Sequence, residues 1–533
     1  MERLNKGGIR MSTLRALLLI STVIPLVACG ADDIASPGEG NVIVVPPPAG
    51  PPPPPPPPGP GQPAASCPSG TTDGGVVGQR RACQLPSRFT EDTTIQNIPG
   101  VAYSLVGPVN VGADVGGDGT LAGGDQVTLT IQAGAVLFGS SGNDYLVVNR
   151  GSRLNAVGTA ANPIIFTARA NIAGTATDET QGLWGGIILL GRAPISDCNT
   201  GVPGGSVGCQ QVIEGTTGSL YGGASPNDNS GTLQYVQIRY SGFAIAPGNE
   251  LQGLTLGGVG QLTTLDHIQV HNSSDDGIEI FGGRPNLKYL VLTGADDDAL
   301  DTDLGYRGTV QFLIGIQKPT GDGDSMIEAD TGGNEDALPR QYTRVSNATF
   351  VRNRSSSGAN AILLRGGTDY ALLNSIVISP AGACLDIDET AGTTTRAADA
   401  ALQDQGAPTF RSVVFACQNP FRDDGNVTTA TIGAIFGTGT NNNNQAYTPS
   451  LSNVFINGAN ENAVAATDPT TFNADPFAGT GQPNTAAPNR LTAVTYIGAV
   501  QNASDTWFGG WACNSGYANF GASNGSCTAI PTT

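Results

Sequence analysis

The sequence predicts an all-β protein whose main domain is a right-handed parallel β-helix, a solenoid of stacked coils. The first observation is a short phrase, repeated at offsets of 24, 22 and 27 residues, with acidic residues at matching places. Its copies are Gly-Leu-Thr-Leu-Gly-Gly from Gly253, Gly-Ile-Glu-Ile-Phe-Gly-Gly from Gly277, Ala-Leu-Asp-Thr-Asp-Leu-Gly from Ala299 and Met-Ile-Glu-Ala-Asp from Met326. A period in this range is typical of solenoids, in which each turn of chain stacks on the previous one.

The second observation is a strand-like phrase that runs in step with the first. Each copy is an aliphatic and β-branched run bounded by turn residues, which favours strands over helices. Its copies are Leu233–Ile238, Leu265–Val270, Leu287–Leu292, Val310–Gly315, Val345–Phe350, Leu373–Ile378, Phe410–Phe415 and Leu451–Ile456. A β-sandwich would instead need hairpin signals and about 100 residues per domain, rather than one long periodic array.

The beginning of the chain predicts export. Residues 1–28 have the form of a signal peptide, because Arg10 and Arg15 precede the apolar stretch Ala16–Leu26, which is too short to span a bilayer. The stretch ends in Leu-Val-Ala-Cys-Gly up to Gly30, which resembles the lipobox of bacterial lipoproteins. That resemblance implies cleavage before Cys29, a lipid on its thiol and attachment to the outer membrane. An ordinary secretory signal is the alternative.

Residues 29–66 form a proline-rich linker with the uninterrupted run Pro51–Pro58. Such a run favours extended polyproline II and cannot form a core, so we expect a disordered stalk between membrane and domain. A docking site for a proline-binding module is the alternative. Residues 67–127 are expected to lead into the solenoid and 128–456 to form it. Residues 457–533 are expected to cap its open end, because exposed terminal strands invite pairing with other chains.

Cysteine usage agrees with export. Besides Cys29, eight cysteines lie in neighbouring couples, which predicts four local disulfides in an oxidising compartment. The couples are Cys67 with Cys83, Cys198 with Cys209, Cys384 with Cys417, and Cys513 with Cys527. No spacing argues for zinc. The 25 basic and 44 acidic residues leave a formal charge of −19, which argues against nucleic acid as a partner.

Stacking would gather the acidic residues into columns on one face. Aligned coils place Thr255, Glu279, Asp301, Glu328, Leu363 and Asp386 in one column, and Gly257, Phe281, Asp303, Asp330, Arg365 and Asp388 in a second. Asp275 and Asp276 stand above Asp297 and Asp298 by the same 22-residue offset. Neighbouring carboxylates at the ~4.8 Å strand spacing repel by about 1 kcal/mol in water and more near an apolar wall.

Such columns must face solvent, hold protons, pair with a base such as Lys288, Arg284 or Arg307, or bind cations. Calcium fits the chemistry, because it prefers oxygen ligands and is abundant outside cells. The predicted ligand or cation-binding residues are Asp275, Asp276, Glu279, Asp297, Asp298, Asp301, Asp303, Glu328 and Asp330. A solvated polar face with Asp-rich turns is the plainer interpretation.

Catalysis on a polysaccharide is a further hypothesis, with Asp276, Asp298 and Asp301 as candidate catalytic residues. Paired carboxyl groups suit glycoside hydrolysis, in which one protonates the leaving oxygen while another activates water. The His-Gly and Arg-x-Lys motifs that accompany such pairs in polygalacturonases are missing. A lyase would need an Arg or Lys base beside calcium, and Arg365 is the one basic residue in the columns.

A third column follows the strand phrase and predicts a ladder of stacked side chains. Its members are Tyr235, His267, Tyr289, Phe312, Asn347, Ser375, Ser412 and Asn453. His267 is therefore interpreted as a stack member rather than a base. Trp507 and Trp511 are interpreted as part of an aromatic cap, with a carbohydrate platform as the alternative.

Several phrases between about Gln126 and Trp511 resemble a family of exported bacterial β-helix lipoproteins and surface proteins. They include the phrases that begin at Leu183 (Leu-Trp-Gly-Gly-Ile-Ile-Leu-Leu-Gly-Arg-Ala-Pro), Ile213 (Ile-Glu-Gly), Asn249 (Asn-Glu-Leu-Gln-Gly), Ser274 (Ser-Asp-Asp-Gly-Ile-Glu-Ile-Phe-Gly-Gly) and Asp297 (Asp-Asp-Ala-Leu-Asp-Thr-Asp-Leu-Gly-Tyr-Arg-Gly). The resemblance implies the fold and export but no reaction.

These observations together predict a lipid-anchored cell-envelope protein that presents a rigid β-helix as a binding or structural surface. The acidic groove is its expected site, and the expected ligand is a glycan or an outer-membrane protein. A glycoside hydrolase or polysaccharide lyase that uses the same groove is the alternative.

Overall fold

The computed structural model describes residues 59, 61–246, 248–321, 323–354, 360–390, 392–423, 426–439, 441–477 and 485–532. All of them belong to the compact unit Pro57–Thr533. The expected signal peptide, the lipidation site Cys29 and most of the proline-rich linker lie outside the described residues, so these features stay predictions. No helix among the described residues combines the length and the apolar character needed to cross a bilayer.

Strands dominate the described part of the chain. They are β1 (Thr72–Val77), β2 (Arg80–Gln84), β3 (Arg88–Phe89), β4 (Thr93–Ile95), β5 (Val101–Ser104), β6 (Pro108–Val111), β7 (Thr128–Ile131), β8 (Val136–Gly139), β9 (Tyr145–Val148), β10 (Arg153–Val157), β11 (Ile164–Ala168), β12 (Ile187–Leu190), β13 (Gln211–Val212), β14 (Leu220–Tyr221), β15 (Gly231–Arg239), β16 (Phe243–Ala246), β17 (Asn249–Leu251), β18 (Leu254–Gly257), β19 (Thr264–His271), β20 (Ile278–Phe281), β21 (Asn286–Thr293), β22 (Leu300–Asp303), β23 (Thr309–Ile316), β24 (Ile327–Ala329), β25 (Tyr342–Val351), β26 (Asn360–Leu364), β27 (Asp369–Leu373), β28 (Ile376–Ile387), β29 (Thr409–Arg411) and β30 (Val414–Phe421).

Helices are few and short among the residues that the structure describes. They are α1 (Arg169–Ile172) and α2 (Thr429–Phe436), with 3₁₀ turns at Ala400–Leu402, Glu461–Ala463 and Pro469–Asn473.

The strands stack in parallel along three faces, which confirms the predicted parallel β-helix. Face A runs through β2, β5, β8 and β11, the second halves of β15, β19, β21, β23 and β25, then β28 and β30. Face B runs through β3, β6, β9, β12, β18, β20, β22, β24, β26 and the end of β28. Face C runs through β4, β7, β10, the first halves of the five long strands, β27 and β29. Inward side chains such as Leu254, Ile278, Leu300 and Ile327 are fully buried and form one continuous core.

Each long strand bends between faces C and A at one residue in the left-handed backbone region. The residues at this bend are Tyr235, His267, Tyr289, Phe312, Asn347, Asn374, Ser412 and, one coil further, Asn442, with φ between 48° and 62°. The four aromatic members stack at ring-centroid distances of 4.3, 4.6 and 4.9 Å. The ladder was therefore predicted correctly except at two coils.

Two predicted members of the ladder, Ser375 and Asn453, were wrong. The register pairs Ser346 with Leu373, so Asn374 lies beneath Asn347. Asn is better suited than Ser to a left-handed backbone because its short amide can hydrogen-bond locally. Ser412 donates its backbone N–H to the carbonyl oxygen of Asn441. This register places Asn442, and not Asn453, beside Ser412 at the last bend.

A substitution pair at Asn442 tests the left-handed bend. Asn442 has φ 60° and an exposed side chain, so a change there acts mainly on the backbone. We expect Asn442→Val to lower the free energy of unfolding by about 1–2 kcal/mol, because a β-branched residue is strained in this conformation. Asn442→Gly should be nearly neutral, and denaturant unfolding measures both. Equal destabilisation by the two variants would contradict a left-handed bend at this position.

The C-terminal end of the solenoid is covered by α2. Phe436 of this helix packs against Phe410 and Phe415 at centroid distances of 5.4 and 4.4 Å, and Ile432 is fully buried beside them. At the other end β1 pairs antiparallel with β2 and so covers the first strand of face A.

Residues 457–533 were expected to cap that end, but their described part, 457–477 and 485–532, instead runs along the side of the solenoid. Its hydrogen bonds first pass from Asn374, bonded to Thr467, down to Leu265, bonded to Asn489, and then return through Gln311, bonded to Thr492, to Asn374, bonded to Gly498. From there they run towards the N-terminal coils and join Cys513 to Gln269, Cys527 to Asn171 and Pro531 to Arg80. Trp511 is fully buried and lies edge-on to Tyr235 and His267 at 6.0 and 5.6 Å. The segment therefore shields the aromatic ladder from water.

The four predicted disulfides are confirmed. Cys67–Cys83, Cys198–Cys209, Cys384–Cys417 and Cys513–Cys527 are all bonded. The second of these closes a loop within residues 191–230, the long insertion between β12 and β15. That insertion shapes the candidate site.

Candidate functional site

The predicted acidic columns come together on the outer side of face B. The register pairs Thr255 with Glu279, Glu279 with Asp301, and Asp301 with Glu328. Because these residues are direct neighbours on parallel strands, their side chains succeed one another coil after coil. Asp303 follows Asp301 by two residues and so lies on the same outer side.

The turn before face B adds a second row of carboxylates. Asp276 accepts a hydrogen bond from the backbone N–H of Asp298 at 2.9 Å, and Asp298 accepts one from Ser325 at 2.7 Å. Both side chains are at least 95% buried. Asp297, next to this row, is exposed. The two rows together are called the acidic strip, which consists of Asp275, Asp276, Glu279, Asp297, Asp298, Asp301, Asp303, Glu328 and Asp330.

The insertion 191–230 forms a wall at the N-terminal end of the acidic strip. Ile195, Ile213 and Tyr221 pack against the outer side of β9, β12 and β20 in a separate apolar cluster. Gly257 permits this contact, since a Cβ there would lie 2.8 Å from the ring of Tyr221. The wall brings Glu214 to the edge of the strip, where it pairs with the carboxyl group of Glu279.

A second wall comes from the hairpin β16–β17, which pairs antiparallel outside the solenoid. Its Glu250 adds negative potential at Asp275 and Asp297. Both walls come from non-repeating sequence, so Glu214 and Glu250 were missed by the analysis of periodic columns. The Ile-Glu-Gly phrase at Ile213 was the one sequence signal for Glu214.

Positive charge is scarce in the acidic strip. Arg365, one coil beyond Glu328, lies 2.5 Å from Glu328 and 2.9 Å from Asp330. The other predicted counter-charges point elsewhere, because Lys288 donates to Thr492 and Arg307 to Asp475. Arg284 lies near the same Asp475. The possibility that the acidic columns pair with Lys288, Arg284 or Arg307 is therefore wrong.

The carboxyl groups hold protons more tightly than usual. Burial, followed by repulsion from neighbouring carboxylates, raises the pKa of Asp303 to about 8. Burial likewise raises the pKa of Asp275 to about 7. For Asp276, Glu279, Asp298 and Asp301 the same two causes raise the pKa well above its ordinary value. Desolvation and like charge both disfavour the ionised form, so the strip favours protons or cations.

The geometry of the strip suits a divalent cation. Carboxylate oxygens of Asp275, Asp276 and Glu279 lie within 4.8 Å of one another, and so do those of Glu279, Asp301 and Asp303. Calcium–oxygen distances are about 2.3–2.6 Å, so two oxygens on opposite sides of one calcium ion lie about 5 Å apart. The spacing of the carboxylate oxygens in the strip therefore fits one ion. Asp303 also has a buried carboxylate oxygen, Oδ1, without a hydrogen-bond partner among the described residues. Glu279 belongs to both groups and would hold an ion in either.

Comparison with known families agrees with this architecture. Residues 116–467 match the model of a family described as a pectate-lyase-like β-helix domain. Neither a curated protein nor a solved structure gives a significant match to the chain.

Proposed function

Because the chain belongs to the pectate-lyase-like β-helix domain family, we propose that it is a binding protein of the cell envelope. In this proposal the acidic strip takes up divalent cations, calcium first, and presents them to a glycan. The solenoid supplies a rigid support, and the two walls limit access to one side of face B.

The observation that carries the proposal is the environment of Glu279. This side chain is 6% exposed, and the described residues provide no hydrogen-bond donor to it except the carboxyl group of Glu214. An ionised, buried Glu279 that meets only another carboxyl group is costly, by several kcal/mol. Calcium would remove this cost for Glu279 together with Asp301 and Asp303.

A glycan is the class of ligand that fits such ions. Calcium binds six to eight oxygen atoms. Carboxylates that reach the ion from one side only, as in the strip, leave some of these coordination positions unfilled. Sugar hydroxyl and carboxylate oxygens are suitable ligands for those positions. A negatively charged glycan would need the ions in order to approach a strip that is itself negative.

The environment of the candidate catalytic residues favours binding over lyase chemistry. Burial alone would lower the pKa of Arg365, but Glu328 and Asp330 raise it above its ordinary value. A guanidinium held in this way is a poor base. One oxygen of Asp276 and one of Asp298 are occupied by backbone N–H groups, which suits a structural ladder.

A polysaccharide-active enzyme is the second candidate, and one observation favours it. The raised pKa of Asp275, about 7, allows a carboxyl group that gives up and takes back a proton near neutral pH. Retaining glycosidases place their two carboxyl groups about 5–5.5 Å apart, a scale that resembles the spacing within the strip. Asp276, Asp298 and Asp301 stay the candidate catalytic residues of this alternative.

Export and lipid anchoring belong to the same proposal. Four disulfides support an oxidising compartment. The lipobox-like sequence ending at Cys29 supports attachment to the outer membrane through a lipid. A neighbouring outer-membrane protein is a further partner that this location would offer.

Binding of the protein to a glycan array, measured once with calcium and once with chelator, tests the proposal. The glycans that bind are then searched for released fragments. We expect calcium-dependent retention of one class of acidic glycan and no cleavage products. Asp301→Asn should reduce retention, while Glu389→Gln, outside the strip, should not. Fragments released by the wild type and abolished by Asp298→Asn would establish the enzyme instead. Equal retention in calcium and chelator would refute the cation-dependent mode.

A further inference from the structure

A lysine, a glutamine and an aspartate meet at the corner between faces A and B, outside the acidic strip. Lys318 follows β23, and Asp296 follows β21, one coil earlier. Gln181 belongs to residues 173–186, the connection between α1 and β12, which reaches these coils from outside the solenoid. Gln181 and Lys318 are 137 residues apart in the sequence, so the fold alone brings them together.

The three side chains form a closed triangle of polar contacts. The ammonium group of Lys318 donates to the amide oxygen of Gln181 and lies 2.9 Å from Oδ1 of Asp296. The amide nitrogen of Gln181 donates to the other oxygen of Asp296. The reverse orientation of the amide would turn its N–H groups towards an ammonium group, so these contacts determine the orientation. One carboxylate therefore touches both the amine and the amide nitrogen.

The triangle is largely closed to water. The side chains of Lys318 and Asp296 are 3% and 12% exposed. The backbone of Gly321 lies over them, since a Cβ there would be 2.5 Å from Oδ1 of Asp296 and 2.7 Å from Cε of Lys318. The buried Oδ1 of Asp296 receives no hydrogen bond of good geometry from the described residues, so it is free to take up a proton.

The connection that carries Gln181 is held on both sides of this residue. Asn272 donates its side-chain amide to the carbonyl oxygen of Thr180 at 3.0 Å. Gly182 donates its backbone N–H to Ser241 at 3.1 Å. A nucleophile and an acyl group that are fixed in contact react at an effective concentration far above that of free reactants. The fold thus positions the amine of one side chain against the amide of another.

We propose that Lys318 and Gln181 join in an intramolecular amide bond. The Lys318 nitrogen attacks the side-chain carbonyl carbon of Gln181 and forms a new C–N bond. The old C–N bond breaks, and its electron pair stays with the departing nitrogen. Asp296 accepts two protons in turn from the Lys318 nitrogen and passes both to the departing nitrogen, which leaves as ammonium. The charges balance, and no oxidant or other reactant takes part.

Gln181 is the acyl donor in this step, and Asp296 is the base. An ionised carboxylate resists attack by an amine, whereas a neutral amide whose leaving nitrogen can receive protons does not. The new bond would tie the connection between α1 and β12 to the coil that follows β23. It would also steady the turn that carries Asp297 of the acidic strip. The proposal does not depend on cation binding there.

Peptide mapping of the intact protein, after denaturation and reduction, tests the bond. Trypsin leaves Gln181 in peptide 170–192 and Lys318 in peptide 308–340. We expect one branched species that contains both peptides and is about 17 Da lighter than their sum, which is the mass of the ammonia lost. Recovery of the two peptides separately and at full mass would overturn the proposal.

A different partner for Lys318 would be visible in the same map. Asp296 lies in peptide 289–307. A bond between Lys318 and this carboxyl group would join 308–340 to 289–307 with the loss of water, about 18 Da. That species would also overturn the proposal, because Asp296 would then be the acyl donor.

Amine labelling of the denatured protein gives a second readout. Lys288 is the matched control, since it and Lys318 are the two lysines beyond the expected signal peptide. In the wild type the reagent should modify Lys288 and leave Lys318 unmodified. In Gln181→Glu both should be modified, because the new carboxylate keeps the contact with Lys318 but has no nitrogen to release. Complete labelling of Lys318 in the wild type would show that the triangle is only an ion pair.

The role of Asp296 is tested by the rate at which the bond forms. Asp296→Asn keeps the size of the side chain but removes the base, so the branched species with peptide 170–192 should form about 100-fold more slowly or not at all. Mass spectrometry of samples taken at intervals after synthesis measures this rate. Formation at the wild-type rate would contradict the proton transfer through Asp296.

Discussion

Replacing Glu279 with glutamine is expected to weaken calcium binding by about tenfold or more. Glu279 is the carboxylate common to both groups of converging oxygens in the acidic strip, so the change removes one charged ligand from each. Glutamine keeps the size of the side chain and a neutral oxygen, which separates the loss of charge from a loss of packing. A tenfold change corresponds to about 1.4 kcal/mol of binding free energy. Isothermal titration calorimetry at pH 7.5 measures it.

The same variant should be more stable than the wild type when calcium is chelated. Its neutral amide is no longer repelled by Asp301 and Asp303, and the cost of desolvating a carboxylate disappears. We expect a gain of about 1–2 kcal/mol in the free energy of unfolding. Asp388→Asn, at the far end of the same face, is the matched control and should change neither quantity much. A less stable Glu279→Gln protein with unchanged calcium affinity would mean that Glu279 is not a ligand.

The second large effect is a loss of stability as pH rises in the absence of calcium. Asp275 and Asp303 hold protons up to pH about 7 and about 8 in the native state. The unfolded chain releases them near pH 4. The native state therefore binds more protons than the unfolded state, so the stabilisation is present at low pH and is lost as pH rises through these values. Burial also raises the pKa of Asp369, outside the strip, to about 7, so it adds to the same slope. Between pH 6.5 and 8 we expect the free energy of unfolding to fall by about 3 kcal/mol.

That pH window avoids two groups that act in the opposite direction. Burial, together with Arg239 and Lys318, lowers the pKa of His271 to about 3, so His271 costs stability only below pH about 6.5. Burial lowers the pKa of Lys288 to about 8, against the weaker pull of Asp266, and this group raises stability only above that pH. Urea unfolding in chelator at several pH values measures the slope.

Millimolar calcium should flatten the pH dependence. Bound ions keep the carboxylates ionised in the native state, so fewer protons are released as pH rises. The stabilisation by calcium should therefore be larger at pH 8 than at pH 6.5. A slope that is unchanged by calcium, or stability that rises with pH in chelator, would mean that the strip neither holds these protons nor exchanges them for ions.

The columns could be predicted because a solenoid converts sequence offset into spatial register. Once the apolar residues of successive coils are aligned, Glu279, Asp301 and Glu328 must become neighbours, and the structure pairs them so. The disulfides were predictable for a similar reason, since each joins cysteines that are near in sequence. The bend at Asn374 was misplaced by one residue because Asn and Ser adjoin there and both suit a turn.

The walls and the C-terminal segment could not be predicted in this way. Glu214 reaches Glu279 because a non-repeating insertion folds back on β12 and β20, and no period relates their positions. Within 457–533, the described residues contact coils up to 451 residues earlier, as in the bond between Arg80 and Pro531. Packing on the side of the solenoid determines their path, and Trp511 covers part of the aromatic ladder there. The buried ion pair between Arg307 and Asp475 depends on the same packing, because the two residues meet only after the segment docks.

A crystal structure obtained at pH 7.5 with millimolar calcium tests the central claim most directly. If the acidic strip is a cation site, a calcium ion will lie among the carboxylate oxygens of Glu279, Asp301 and Asp303, at about 2.3–2.6 Å from each. Glu214 would then separate from Glu279, because the proton that the two share is released. Clear density for these side chains without an ion, and with the two carboxyl groups still paired, would contradict the account.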